Sequence, residues 1–151
     1  MTFSVHKHIP VFKNSLLANE FVDNLRFYFD RDACQLHGFV IMPDHVHLLL
    51  ELSEGRKLPD FIRDIKKFFS YKVKDSLLNK TGFDAGIFNQ KDTFQFWTRG
   101  YDEVTIFSER IFRIKLEYIH NNPVKAGLVE KAEDYLYSSA KHYILGTESV
   151  L

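Results

Sequence analysis

The stretch that most constrains the fold runs from residue 42 to residue 52, where a Pro-Asp turn signal leads into an uninterrupted apolar run. Alternate side chains of a strand share a face. One face of this strand therefore carries His45 and His47, and the opposite face is wholly apolar. Residues 34–42 form a second apolar run immediately before the turn, so we predict a β-hairpin.

Two imidazoles on one face of a rigid strand are able to hold a divalent metal, since neutral imidazole is a common metal ligand. The alternative is a structural pair, and the chain contains a second one, His6 and His8. We expect residues 2–12 to form a first strand in which these two share a face, either reaching the metal or facing solvent. The pair at 45 and 47 differs because it follows a turn signal.

Hydrophobic spacing predicts helices at about 15–31, 59–74, 108–122 and 132–143. Because Pro123 disfavours the α conformation at Asn122, we expect the third helix to end there. A polar loop is expected at 79–95, with aromatic side chains that either stack on unpaired bases or pin the loop to the core. The order of elements predicts an α+β fold, a small antiparallel sheet with helices packed on one face.

Composition favours a single folded domain over residues 1–151, with 45% hydrophobic residues. There is no run long enough to span a bilayer and no signal-peptide pattern, so we expect a cytoplasmic protein without a membrane partner. Cys34 is alone, which excludes an internal disulfide. The formal net charge of zero argues against nucleic-acid binding over the whole surface but allows a local basic patch.

One helix face in the predicted 59–74 segment is basic and lies opposite the apolar stripe. A solvated surface and a phosphate-contacting surface both explain such a face, and both remain open. Lys72 falls on the apolar side, where it either snorkels or reaches into a site. The basic face consists of Arg63, Lys66, Lys67, Ser70 and Lys74.

A tyrosine on the predicted 108–122 helix offers a nucleophile, Tyr118. Phosphodiester cleavage needs charge neutralisation and an oriented nucleophile. A metal on the two strand histidines would supply the first as a Lewis acid, and tyrosine is able to form covalent intermediates. Lys115, one turn earlier, would favour the phenolate, and Asn122, one turn later, presents an amide oxygen to the metal. The alternatives are a packing tyrosine and an asparagine that simply terminates the helix.

The segment Met-Pro-Asp-His-Val-His at 42–47, together with Tyr-Ile-His-Asn-Asn-Pro-Val-Lys-Ala-Gly-Leu-Val at 118–129, resembles the Y1 transposases of the HUH nuclease superfamily. The closest branch is the REP-associated tyrosine transposases, relatives of the IS200/IS605 transposases. The similarity runs from about 39 to 143 and includes 96–100 and 135–139. It implies a ferredoxin-like split βαβ fold for the domain.

The resemblance also implies roles for individual residues. His45 and His47 would bind Mg²⁺ or Mn²⁺, and Tyr118 would attack one DNA strand, forming a 5′-phosphotyrosine link and releasing a 3′-OH. Asn122 would be the third ligand, where the insertion-sequence branch has glutamine. The implied substrate is single-stranded DNA with a hairpin, such as a repetitive extragenic palindrome. The candidate DNA contacts are Arg63, Lys66, Lys67, Lys74, Trp97, Arg99 and Lys115.

Three functions remain open on the sequence alone. The first is metal-dependent nicking and strand transfer on hairpin-containing DNA, as in DNA transposition. The second is a catalytically silent module that binds hairpin DNA or RNA. The third is a metal-dependent phosphodiesterase without a covalent step. Relatives act either as monomers or as homodimers in which the tyrosine helix of one subunit serves the metal of the other, and both states remain open here.

Overall fold

A computed structural model of the protein describes residues 1–32, 34–74, 78–90 and 93–151. Its centre is an antiparallel sheet of three strands, β1 (Thr2–Ser4), β2 (Gln35–Ile41) and β3 (His45–Glu51), in the order β1-β3-β2. β2 and β3 form the predicted hairpin, with Ile41 opposite Val46.

Both edges of this sheet are extended by chain outside the named strands. The segment at 96–102 pairs with β1, because the amide of Thr2 donates to the carbonyl of Asp102 at 2.8 Å and the amide of Thr98 donates to that of Ser4 at 2.9 Å. With this segment counted as an edge strand, the sheet order becomes segment 96–102, β1, β3, β2. This is the order of a split βαβ fold, so the predicted ferredoxin-like class is confirmed.

Three longer helices accompany the sheet: α1 (Ser15–Asp32), α2 (Leu58–Lys72) and α4 (Glu109–Lys125). Asn14 caps α1 through a hydrogen bond from the Leu16 amide to its side-chain oxygen at 3.0 Å. The shorter elements are α3 (Leu78–Thr81), β4 (Asn89–Gln90), β5 (Thr93–Phe94) and α5 (Ala140–Leu145). Among the described residues, no helix is long and apolar enough to cross a membrane.

The helices lie on both faces of the sheet. α1 and α2 cover one face over an aromatic core that includes Phe3, Phe21 and Phe69. We expected every helix on one face, but α4 packs on the opposite face. There Ile119 and Leu49 belong to a second, smaller buried cluster. The reason is that this face carries the buried apolar side chains of Val40, Met42 and Leu49, which need a cover. The face that carries the two histidines is therefore the one that α4 shares.

Gly38 in β2 permits the close approach of α4 to this face. A Cβ at this position would lie 2.6 Å from Cδ1 of Leu116 and 3.2 Å from Cδ1 of Ile119. The first separation is below any ordinary carbon contact, so a larger residue at this position would require the end of the Leu116 side chain to shift.

The first strand is shorter than expected. β1 ends at Ser4, and 3₁₀ turns follow at His6–His8 and Val11–Lys13. The chain turns because Lys7 and His8 both have φ = 53°, in the left-handed region. The two histidines consequently do not share a strand face: His6 is buried, while His8 is exposed.

The end of α4 also differs from the prediction, because the helix continues through Pro123 to Lys125. It closes with a Schellman motif, in which the amide of Leu128 donates to the carbonyl of Pro123 and the amide of Gly127 (φ = 67°) donates to that of Val124. This closure satisfies carbonyls of the last turn, and it outweighs the local preference of the residue before proline.

The expected helix at 132–143 is divided into a 3₁₀ turn at Ala132–Asp134 and α5. The chain between them forms a turn and an isolated bridge to β2, in which the amide of Ile41 donates to the carbonyl of Tyr137 at 2.8 Å. In the expected loop at 79–95, Phe88 is fully buried and therefore pins the segment to the core, whereas residues 91 and 92 lie outside the described part of the chain.

His120 links α4 to the C-terminal segment. Its ring is buried, with Nε2 2.8 Å from Oγ of Ser139, and burial lowers its pKa to about 4. An unfolded histidine has a pKa near 6.5, so between pH 6.5 and 4 the unfolded chain binds a proton that the folded chain does not. This group therefore lowers the free energy of unfolding as the pH falls through that window.

We predict that His120→Gln flattens part of this acid sensitivity, because glutamine does not titrate. From pH 7 to pH 5 the wild-type protein should lose about 1–2 kcal/mol more unfolding free energy than the variant. Urea unfolding followed by circular dichroism at both pH values measures this. His142→Gln removes an exposed histidine of α5 and should retain the wild-type pH dependence. Equal losses in wild type and His120→Gln would contradict the assignment.

Candidate active site

The two strand histidines and the helix tyrosine meet on the α4 side of the sheet. The ring centroids of His45 and His47 are 4.9 Å apart. The ring of Tyr118 lies 5.9 Å from that of His47, edge to face at 87°. Residues more than seventy positions apart in the sequence thus form one cluster, as the sequence predicted.

Tyr118 is accessible to solvent, although the neighbouring side chains of His47 and Ile119 are buried. Ser108 caps α4, since its hydroxyl accepts a hydrogen bond from the amide of Ile111 at 3.4 Å, and the helix packs on the sheet through Ile119. Tyr118 precedes that buried position, so its side chain lies at the helix border and is 46% exposed. A nucleophile placed here is able to reach a substrate that lies on the protein surface.

His47 is the buried member of the cluster, at 7% exposure. Its Nδ1 is 2.7 Å from Oγ1 of Thr2, while Nε2 has no hydrogen-bond partner among the described residues. Burial, followed by the positive charges of His45 and the amino terminus, lowers its pKa to about 4. The ring is consequently neutral near pH 7 and has an unsatisfied nitrogen, which is costly for a buried polar group.

His45 is held by the carboxylate of the preceding residue. Its Nδ1 lies 2.7 Å from Oδ1 of Asp44, and Oδ2 of the same carboxylate lies 2.7 Å from Nδ1 of His8. Burial raises the pKa of Asp44, but the hydrogen bonds with His45 and His8 outweigh it and leave that pKa below its usual value. Asp44 is therefore a charged group directly behind the site.

This donor set fits a divalent metal. A neutral imidazole with an unpartnered Nε2 and a second imidazole backed by a carboxylate are typical of metal-ligating histidines and their supporting groups. In the described ranges, no group of three His, Cys, Asp or Glu side chains is arranged so that it could hold a metal ion by itself. The remaining ligands would thus be water, phosphate oxygen or amide oxygen.

Asn122, the predicted third ligand, lies one turn beyond Tyr118. Its side-chain amide donates to the backbone carbonyl of Tyr118 at 3.0 Å. No contact joins it to either histidine within the described parts of the chain. Its role as a ligand remains a prediction.

Two lysines bring positive charge to Tyr118. Nζ of Lys125 is 5.2 Å from the centre of the tyrosine ring, and Nζ of Lys115 is 5.9 Å away. Lys125 was not predicted at the site, because the helix was expected to end at Asn122; with the helix extended to Lys125, this residue shares a helix face with Tyr118. A small cavity of about 90 Å³ beside them is lined by His47, Tyr118 and Lys115.

Two of the candidate DNA contacts have structural roles. Nζ of Lys66 donates to the carbonyls of Thr98 and Gly100 at 2.8 and 2.9 Å, and burial lowers its pKa to about 8. Trp97 is buried, and its indole nitrogen donates to the carbonyl of Lys66 at 3.1 Å. These bonds join α2 to the edge segment at 96–102, so neither side chain is displayed to a ligand.

The rest of the basic face is less uniform than its sequence indicates. Arg63 donates to Asp60 and Asp64 at 2.6 and 3.1 Å, which neutralises much of its charge. Lys72 extends to Glu20, so it pairs with α1 and does not reach the candidate site. The remaining candidates on this side are Lys67 and Arg99, which are exposed, and Lys74, which lies 5.9 Å from the ring of Phe94.

Residues 1–122 match the family model described as transposase, IS200-like. The chain therefore belongs to the IS200-like transposase family. The more specific resemblance to REP-associated tyrosine transposases is also confirmed by curated relatives. The chain is 32% identical over 126 residues to a putative REP-associated tyrosine transposase of Haemophilus influenzae and 28% identical over 108 residues to a REP-associated tyrosine transposase of Escherichia coli K12.

These two matches include 72% and 70% of this chain but only 63% and 53% of the relatives, so the chain spans less than two thirds of their length. Two solved structures share the fold. A REP-associated tyrosine transposase bound to a REP hairpin has a TM-score of 0.74 at 18% identity, covering 99% of this chain and 80% of that one. A putative transposase from Deinococcus radiodurans R1 has a TM-score of 0.54 at 21% identity, covering 80% and 85%.

Proposed function

We propose that this protein nicks and rejoins single-stranded DNA beside a hairpin, with Tyr118 as the nucleophile and a divalent metal at the histidine pair. One observation carries the proposal: the unpartnered buried nitrogen belongs to His47, and the ring of the accessible Tyr118 lies 5.9 Å from the ring of that histidine. A ligand for a cation and a group able to form a covalent bond thus share one surface.

The comparisons support the substrate class. The chain belongs to a transposase family, and a protein of the same fold was solved with a REP hairpin bound. We extend that hairpin DNA partner to this chain as part of the proposal. The stem would be held by phosphate contacts from exposed basic residues, without Lys66 and Trp97. The proposed contacts are the exposed Lys67, Lys74 and Arg99, together with the partly buried Lys115 beside Tyr118.

The reaction begins when Oη of Tyr118 attacks a phosphodiester phosphorus. The bond from phosphorus to the 3′ oxygen breaks, the 5′-phosphate becomes linked to Tyr118, and the 3′ oxygen leaves as a hydroxyl after taking up a proton, while the phenol gives up its own. A 3′-OH of the same or another strand is able to attack the phosphotyrosine in reverse. No further energy source is needed, because the phosphotyrosine retains the energy of the original linkage.

The surrounding side chains supply position and charge. When bound, Mg²⁺ or Mn²⁺ would act as a Lewis acid on the phosphate oxygens, held by His45 and His47 with Asn122 as the proposed third ligand. Lys115 and Lys125 lie on either side of the tyrosine in sequence and would offset negative charge on the phosphate.

We predict that Tyr118→Phe abolishes covalent capture of DNA, by at least about 10³-fold, because only the attacking oxygen is removed. Binding of the hairpin should stay within about twofold, since the ring is retained. Denaturing gels of a labelled hairpin oligonucleotide with single-stranded flanks and Mn²⁺ measure the adduct, and fluorescence anisotropy measures binding. Tyr71→Phe, at an exposed tyrosine of α2, is the matched control and should react normally.

Each other outcome points to a different function. Equal adduct in wild type and Tyr118→Phe would remove Tyr118 from the nucleophilic role. Nicked DNA without any protein adduct would indicate a phosphodiesterase that uses water. Binding without cleavage by the wild-type protein would indicate the silent hairpin-binding module.

We predict that His45→Ala and His47→Ala each raise the Mn²⁺ concentration for half-maximal nicking by at least about tenfold, because each removes a proposed ligand. Nicking rates across a metal titration, after removal of bound metal with a chelator, test this. The control His142→Ala, at an exposed position of α5, should need the same Mn²⁺ concentration for half-maximal nicking as the wild type. An unchanged metal requirement in both histidine variants would overturn the ligand assignment.

We also predict that catalysis occurs within one chain, since the tyrosine and His47 rings are already in contact range there. At a Mn²⁺ concentration too low for His47→Ala to nick DNA by itself, a mixture of Tyr118→Phe and His47→Ala proteins should then remain inactive, whatever their ratio. The control is a mixture of wild type with the doubly substituted protein, which retains activity in proportion to wild type. Recovery of activity in the first mixture would show that the tyrosine serves the histidines of another chain.

A further inference from the structure

The groups that orient the two site imidazoles differ in chemistry. Nδ1 of His47 meets the hydroxyl of Thr2, and Nδ1 of His45 meets the carboxylate of Asp44, each at 2.7 Å. A hydroxyl is able to donate or accept, whereas an ionised carboxylate only accepts. Thr2 therefore allows either tautomer of His47, whereas Asp44 restricts His45 to the tautomer that is protonated on Nδ1.

We infer that Asp44, clamped by His8, is a positioning residue that keeps the proton of His45 on Nδ1 and its Nε2 lone pair available to a cation. This inference rests on the proposed metal-assisted function and names residues outside the ligand set. The second ring nitrogen of a ligating histidine commonly donates to such a carboxylate, which fixes both the tautomer and the ring orientation.

Asp44 does not behave as an ordinary turn residue. Aspartate after proline in a tight turn commonly accepts hydrogen bonds from nearby backbone amides. Here its two carboxylate oxygens face two imidazoles, His45 and His8, and no backbone amide of the described chain bonds to either oxygen. The turn itself is held through backbone groups, since the amide of Val5 donates to the carbonyl of Asp44 at 2.8 Å. The carboxylate is therefore spared for the two histidines.

The 3₁₀ turn at His6–His8 adopts an unfavourable backbone to bring His8 to this carboxylate. Lys7 and His8 both have φ = 53°, which side-chain-bearing residues adopt infrequently. The turn is anchored by His6, which is buried and whose Nε2 lies 3.0 Å from Nε2 of Gln90. Backbone strain that persists beside a candidate site indicates a contact that the rest of the structure maintains.

Asp44→Asn tests the inference, because an amide keeps the size of the side chain but also offers a donor to Nδ1. Long-range ¹H–¹⁵N spectra of the metal-free protein report which ring nitrogen carries the proton. We expect His45 protonated on Nδ1 in the wild type and a mixture of tautomers in Asp44→Asn. Calorimetric titration with Mn²⁺ should show binding weakened by about 10- to 100-fold in the variant.

His8→Gly separates positioning from folding. Glycine accepts the left-handed backbone without strain, so the variant should be at least as stable as wild type while it loses the clamp on Asp44. We expect Mn²⁺ affinity to fall by at most about tenfold, less than in Asp44→Asn, since His8 acts through Asp44. The matched control is Glu51→Gln, which removes the carboxylate at the far end of β3, 3.5 Å from His37, and should leave the affinity and the His45 tautomer unchanged.

The result that overturns the inference is an unchanged His45 tautomer and unchanged Mn²⁺ affinity in Asp44→Asn and His8→Gly. If the wild-type protein fails to bind Mn²⁺, the metal part of the proposed function fails, and the tautomer measurement alone decides the positioning role. Circular dichroism verifies folding. If Asp44→Asn does not fold, His8→Gly, which retains the carboxylate, supplies the decisive comparison.

Discussion

The antiparallel pairing of β3 between β1 and β2 is the constraint on which the rest of the structure depends. The sheet carries buried apolar side chains on both faces and therefore requires a layer on each, and α4 provides the second one. The same pairing places Thr2 of β1 directly opposite His47 of β3, within hydrogen-bond distance of its ring. Sheet formation, helix packing and ring orientation are thus consequences of a single register.

Much of this arrangement follows from periodicity in the sequence. Alternation in the strand put His45 and His47 on one face, and helical spacing put Tyr118 and Asn122 on one side of α4. The parts that were missed depend on long-range contacts or unusual backbone. The left-handed residues Lys7 and His8 end the first strand, and no local pattern marks them. The extension of α4 past Pro123 depends on a closing motif downstream, and the division of the last predicted helix depends on pairing with β2.

The distribution of surface charge was the property predicted least well from the sequence. One face of α2 is uniformly basic when lysines and arginines are counted on a helical wheel. In the structure, however, Arg63 pairs with neighbouring aspartates, and the ammonium group of Lys66 donates its hydrogen bonds to backbone carbonyls. Conversely, the positive charge beside Tyr118 was underestimated, because Lys125 joins it only when the helix continues beyond the proline. A count of charges predicts a potential only after the partners of each charge are known.

Gly38 affects how closely the helix that carries Tyr118 packs on the sheet. The absent methyl group leaves the space into which Leu116 and Ile119 settle, and Ile119 is the immediate neighbour of Tyr118. A Cβ at position 38 would meet the ends of both side chains, so these would have to shift before a larger residue could be accommodated. The packing of the tyrosine helix on the sheet therefore depends in part on a residue of β2 that takes no part in the proposed reaction.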